Sequence, residues 1–481
     1  MSTEGEVAAK EAHELHRALG PWQLIALGIG AIIGAGIFVI TGHAAATYAG
    51  PGVVVSFMIA GLGCFFAGLC YAEFACMIPV AGSAYTYTYA TMGRFLAWFI
   101  GWNLVLEYLA AASTVAVGWA GYFVQLLSQL GITIPRAVSS APLAMTSLTD
   151  ISFTGSILNL PAMLVVGLAT TMLVIGIKAS AQFNSVMVII KLVIVVLVIG
   201  FGLPLIMGDN LEPFIPPNTG TWGEFGWSGV FRATGVIFFA YIGFDAVSVA
   251  AQEARNPQRD MPIGILGSLL ICTLLYILMS LTMTGLAPYT SLNVAYPVFV
   301  AINNAGPQLA WLGFLVNVGA VVGLASVVLV LLLGQSRVFY AMSRDGLIPP
   351  LYCQIHPTFR TPWIGTIVTG MFAGLLAGLV PLSILGELVS IGTLLAFTIV
   401  CAGILVLRIA RPDYHRPFRT PAVWIVAPLG MAMCIFMMAF LPLDTWLRLV
   451  VWTLIGLVIY FTYGQHHAKP PRFVLSKQPA E

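Results

Sequence analysis

The chain has 481 residues, 59% of them hydrophobic and only 8% charged, with a net charge of +2 and a mean hydropathy of +0.96. A soluble domain carries about 25% charged residues, whereas apolar runs of roughly 20 residues, the length that crosses a bilayer, recur along this chain. Composition thus excludes a soluble domain, and the continuous runs exclude a β-barrel, whose strands alternate. The expected fold class is an all-α polytopic membrane protein of about 12 transmembrane helices.

Residues 1–20 are polar and expected to form a cytoplasmic N-terminal segment with no cleavable signal. Pro21 suits the first turn of a helix, and an apolar run follows from Trp22 to about Tyr48. Inside it, Gly28, Gly30, Gly34 and Gly36 interrupt the helix-forming pattern. Glycine costs a helix about 1 kcal/mol relative to alanine, and in lipid the freed backbone groups need partners. Such a break exposes amides and carbonyls to a ligand, and we read it as one half of a substrate site. The competing reading is close helix packing through small residues.

Span 2 runs from about Val53 to Met77, and a Tyr-rich amphipathic piece, Tyr85 to Met92, precedes span 3 at about Phe95 to Leu127. A long polar connection leads to span 4 at Pro161, and span 5 covers about Phe183 to Met207. Span 6, Trp227 to Ala251, holds the glycine-bounded segment Gly235 to Gly243, with Asp245 just beyond. Spans 7 to 10 reach Leu407, a basic loop covers Arg408 to Arg419, and spans 11 and 12 end near Tyr463. Most basic residues, among them Lys10, Arg17, Lys178, Arg337 and Arg408, then fall on one side. The other side keeps only Arg136, Arg232 and Arg448. The positive-inside rule therefore places both termini in the cytoplasm. Span 1 enters from inside and span 6 from outside. Interrupted segments at matching places of two inverted halves mark a transporter's central site.

The motifs His16-Arg17-Ala18-Leu19-Gly20, Gly30 to Phe38, Phe239 to Asp245, Glu253 to Pro262, Arg337 to Gly346 and Arg416 to Pro421 stand in this order. In them the chain resembles the amino acid–polyamine–cation permease superfamily, and within it the cationic amino acid transporters in their short bacterial form. The resemblance implies a LeuT-type 5+5 inverted repeat. Residues 21–207 would be the first repeat, 227–407 the second, 408–463 two peripheral spans, and 464–481 a cytoplasmic tail. Eukaryotic relatives carry two further spans, so their cationic preference does not transfer directly.

An α-amino acid presents a carboxylate and an ammonium. Half-helix N-termini attract anions, so the amides at Gly34, Ala35 and Gly36 are the candidate carboxylate site. Freed carbonyls at Ile32 and at Phe239, Ala240 or Ile242 are candidates for the ammonium. By resemblance, Phe239 matches the aromatic gate over the substrate. Lys191 stands alone among aliphatic residues, roughly 12 Å into span 5. Desolvation disfavours an ammonium, and the alternative is snorkelling to the interface. By resemblance, a lysine on this span takes the place of a sodium ion, reaching carbonyls near Gly30 or Ala31 with Ser326 nearby. Glu107, mid-way through span 3, has to face the bundle interior, as a proton carrier, a partner for a cationic substrate or a helix anchor. Asp245 is placed to carry a proton or to cap the half-helix after the second break. Glu73 and Glu387 are expected to meet water or loop partners, and Asn103 and Asn317 to be polar glue between helices.

The expected function is secondary active transport of L-amino acids by proton-coupled symport, with neutral side chains favoured by the apolar lining. Exchange, and transport of arginine or lysine, are the alternatives; a solute-binding receptor or channel on the same scaffold is the rival class. No nucleophile–base set, phosphate loop or metal spacing is present, so no enzyme activity, metal, sodium or other cofactor is expected. The expected partners are the amino acid and lipid, with no nucleic acid; an accessory subunit is left open.

Overall fold

A computed structural model describes residues 19–77, 83–145, 151–176, 180–245, 247 and 254–469. The expectations for residues 1–18, for the motif around Glu253 and for the tail beyond 469 lie outside the described residues. The structure is mostly helical, and its only sheet among the described residues is a two-stranded hairpin. Seven helical stretches are long and apolar enough to cross a membrane, and four shorter apolar helices accompany them.

Helix α1 (Pro21–Ile32) starts at a proline, with the Gly20 amide donating to Gln23 Oε1 at 2.7 Å. After a break the chain resumes as α2 (residues 36–49), in mixed π and α turns. A turn at Gly50–Gly52, with Gly50 at φ 58°, reverses it into α3 (Val53–Met77). The Tyr-rich piece is α4 (Ser83–Thr91), followed by the 36-residue α5 (Arg94–Gln129). The expected polar connection folds on itself: β1 (Leu143–Met145) pairs antiparallel with β2 (Ile151–Phe153). Asn159 then caps α6 (Leu160–Ile175) by accepting from the Ala162 amide.

Helix α7 (Ser180–Gly202) carries Lys191, and α8 (Gly226–Ile237) ends at the second break. Helix α9 (Pro257–Leu286) begins earlier than the polar Gln252–Met261 link suggests, because Pro257 is a good first-turn residue. There follow α10 (Pro297–Asn304), α11 (Ala310–Arg344), α12 (Trp363–Leu379) and α13 (Leu382–Ala410). Helices α14 (Val423–Ala439) and α15 (Leu443–Ile459) close the chain and leave much of their apolar surface exposed. Indole pairs hold α15 on α5: Trp102 and Trp452 stack at 4.5 Å, and each donates its ring N–H to the other's carbonyl.

Helix α5 packs along α11, and α3 packs along α9, with α1 also packed on α9. The breaks in the first and sixth predicted spans lie between these two groups. The Arg255 amide donates to Leu19, and the Cys76 thiol donates to Pro257. The start of α1, the end of α3 and the start of α9 therefore share one face. All seven cysteines are unpaired.

Candidate substrate and coupling site

Helix α1 makes its last turn with the Ile33 amide donating to Ile29, after which Ile33 is extended at ψ 99°. The amides of the next helix's first turn, at Gly34 to Gly36, lie at a start where no intrahelical acceptor precedes them. In the sixth span, α8 gives way to a 3₁₀ turn at Phe238–Tyr241; Ile242 is extended, and Gly243 sits at φ 114°. Only glycine adopts that conformation without strain. Both sequence breaks are thus real backbone interruptions.

The two breaks cross in contact. A Cβ on Gly36 would overlap the Cα of Ala240, and one on Gly243 would lie 2.7 Å from the Ala31 carbonyl oxygen. Gly28 and Gly30 are likewise packed against Ser268 and Val188. Gly34 has ordinary room, with Val327 at 3.4 Å from a built Cβ. Gly28, Gly30 and Gly36 therefore allow close helix packing, while Gly34 sits at the interruption itself. Ile32, Gly34, Ala35, Gly36, Phe239, Ala240 and Ile242 are all buried, so the crossing is closed to solvent in this conformation.

Sequence reasoning missed Tyr276. Its hydroxyl, on α9, lies 2.9 Å from the Ile32 carbonyl oxygen and 2.6 Å from that of Ala240. These are two of the carbonyls reserved above for a substrate ammonium. One hydroxyl has a single proton to donate, so the two oxygens share it. Tyr122 and Tyr241 brace the same region, donating to Phe38 at 2.6 Å and Phe57 at 2.9 Å. The available signal was chemical: a tyrosine inside an apolar helix has to find a partner for its hydroxyl.

Lys191 is 1% exposed, and its ammonium donates to the Gly30 carbonyl, near the end of α1. It does not snorkel in this conformation. Its stem packs on Gly323 of α11. Ser326, expected near the ammonium, instead donates to Gly323 in its own helix at 2.8 Å.

Glu107 and Asp245 are both buried, and Glu107 has Asp245 and Thr393 among its polar neighbours. The Tyr108 hydroxyl donates to Asp245 Oδ2 at 3.4 Å. Glu73 meets loop partners, as expected, but fully buried: Arg408 binds both its oxygens, Arg416 lies at 3.4 Å, and the Thr420 amide donates at 2.8 Å. Glu387 accepts from Thr445 at 2.8 Å and faces Arg448 at 3.5 Å. Asn317 donates to Gln129 of α5 at 2.9 Å, as interhelical glue, whereas Asn103 donates within its own helix to Phe99.

Residues 19–463 match the model of a family described as amino acid permease. The chain belongs to the amino acid permease family. It is 46% identical over 469 residues to the branched-chain amino acid permease BcaP of Bacillus subtilis (strain 168), covering 97% of this chain and 96% of that one. It is 44% identical over 461 residues to a methylthioribose transporter of the same organism, covering 96% of each. With the vacuolar cationic amino acid transporter 4 of Arabidopsis thaliana it shares 37% identity over 401 residues, 83% of this chain and 65% of that one. This permease is an integral membrane transporter and not an enzyme.

Proposed function

We propose that this permease carries neutral L-amino acids with small or branched apolar side chains, by proton-coupled symport and alternating access. The observation that carries the reading is the Lys191 ammonium seated on the Gly30 carbonyl. A cation fixed at the end of a broken half-helix does there what a bound metal cation would do, and it can leave by losing its proton. The coupling ion is then the proton and not sodium. Ile32 to Gly36 and Phe239 to Ile242 form the substrate site, with Phe239 as its gate and Glu107 and Asp245 as further proton-handling groups. The frame is twelve spans in two inverted five-helix repeats, residues 21–207 and 227–407, with both termini cytoplasmic in a bacterial inner membrane. Support for a neutral substrate comes from the apolar lining and from the similarity to BcaP.

A second reading takes its weight from the relative named as a methylthioribose transporter. That sugar thioether has no α-ammonium and no carboxylate, so it would not need the half-helix ends. Uptake of labelled alanine, leucine, arginine and methylthioribose into proteoliposomes, with and without an inward proton gradient, separates the cases. We expect alanine and leucine uptake that rises with the gradient. Exchange without net uptake, or accumulation of methylthioribose alone, would overturn the proposal. Lys191→Ala is expected to fold and bind substrate yet lose the gradient's effect; an unchanged pH profile would remove Lys191 from the coupling.

A further inference from the structure

Gln335 of α11 is fully buried, yet neither its amide nitrogen nor its amide oxygen meets a hydrogen-bond partner among the described residues. An amide has both donors and acceptors to satisfy, and leaving them dry and unpaired is costly. A second orphan lies on α5. Asn103 is buried and donates its Nδ2 to Phe99, but its Oδ1 accepts from no described residue.

The packing of α5 on α11 fixes where Gln335 points, because its contacts run antiparallel in steady register. Asn317 donates to Gln129 at 2.9 Å, and Trp119 donates its ring N–H to the Val321 carbonyl at 2.8 Å. Further along, a Cβ on Gly334 would lie 2.9 Å from the Tyr108 ring, and one on Gly101 would lie 2.9 Å from Met342 Sδ. Each step forward along α11 is a step back along α5, which sets Gln335 level with Tyr108. At about 3.6 residues per turn, Asn317 lies about five turns before Gln335 and Met342 about two turns after it, so the three share one face. Gln335 therefore turns its amide into the α5–α11 contact beside Tyr108, roughly 14 Å in from the end of α11 at Arg344.

Tyr108 leads to the buried acids. Its hydroxyl reaches Asp245 Oδ2 only at 3.4 Å, longer than the usual O–H···O bond of about 2.5–3.0 Å. Glu107 is the preceding residue, and Asn103 stands one turn before Glu107 on the same face of α5. Orphaned amide groups on two helices thus flank the Glu107–Asp245 pair. Buried polar groups without protein partners are commonly met by ordered water, which makes about three hydrogen bonds in such a site.

We propose that Gln335 binds a buried water shared with the Tyr108 hydroxyl, so that water within the bundle reaches the Glu107–Asp245 pair. A proton-handling role for those acids rests on the reading above; the water site does not.

The test uses the full chain in lipid nanodiscs, without substrate or a proton gradient. It reads hydroxylation of single tyrosines by mass spectrometry after a short X-ray pulse. Radiolysis turns a bound water into a hydroxyl radical in place, so a buried ring is labelled where water touches it. Tyr122 and Tyr241, fully buried with their hydroxyls on the Phe38 and Phe57 carbonyls, serve as dry references. Tyr108 is expected to be labelled well above both in the wild type. Gln335→Met, similar in volume but without the amide, is expected to bring Tyr108 down to their level. Tyr108 labelled no more than the references in the wild type, or labelling unchanged in Gln335→Met, would overturn the site. Should Gln335→Met fail to fold, Gln335→Asn, which draws the amide back by one methylene, is read for the same loss.

Discussion

Gly36 and Ala240, 204 positions apart in sequence, meet backbone to backbone where the two broken helices cross, so closely that any side chain on Gly36 would overlap Ala240. Gly36→Val is therefore expected to damage the crossing itself and not only a ligand's approach. Overpacking of this kind costs about 1–3 kcal/mol, and thermal unfolding in detergent should show a lower midpoint than wild type. Gly34→Ala, which has room, should leave the midpoint near its wild-type value. A stable Gly36→Val protein would show that the crossing separates easily.

Tyr276 gives a second expectation. Removing its hydroxyl leaves two buried carbonyls to share no donor, at a cost of about 1–3 kcal/mol. Tyr276→Phe should lower the unfolding midpoint without substrate while alanine still stabilises the protein, because the ammonium can then take both oxygens. Loss of alanine binding with unchanged stability would make the phenol part of the substrate site instead.

Glu107 separates neutral from cationic substrates. A buried cationic side chain needs a fixed carboxylate or water, and Glu107 and Asp245 are neighbouring buried acids beside the breaks. Glu107→Gln is expected to spare alanine binding while weakening the effect of the proton gradient on alanine uptake. Tight arginine binding in the wild type that vanishes in Glu107→Gln would turn the substrate assignment to cationic amino acids.

Glu73 is held by Arg408, Arg416 and the Thr420 amide at full burial. Breaking such a cluster by removing one partner costs about 3–5 kcal/mol, because it strands buried charge. Glu73→Ala should express poorly or unfold well below the wild type. Wild-type stability in Glu73→Ala would show that the basic loop holds itself.

Helices and breaks were legible because their causes are local. Apolar runs of bilayer length form helices wherever they stand, and clustered glycines weaken a helix in place; the interruptions at Ile33 and Ile242 follow from residues within a turn of them. Lys191 was legible for a related reason: a lone ammonium so deep in an apolar helix has to find a carbonyl, and Gly30 supplies it. Partner choice was not local. The hydroxyl that covers Ile32 comes from a residue 244 positions away, and the arginines that neutralise Glu73 come from more than 330 positions on. The sequence determined which groups in this permease need partners, since desolvation follows from residue type and depth. Only the tertiary structure decided which partners they receive, since that depends on where the helices cross.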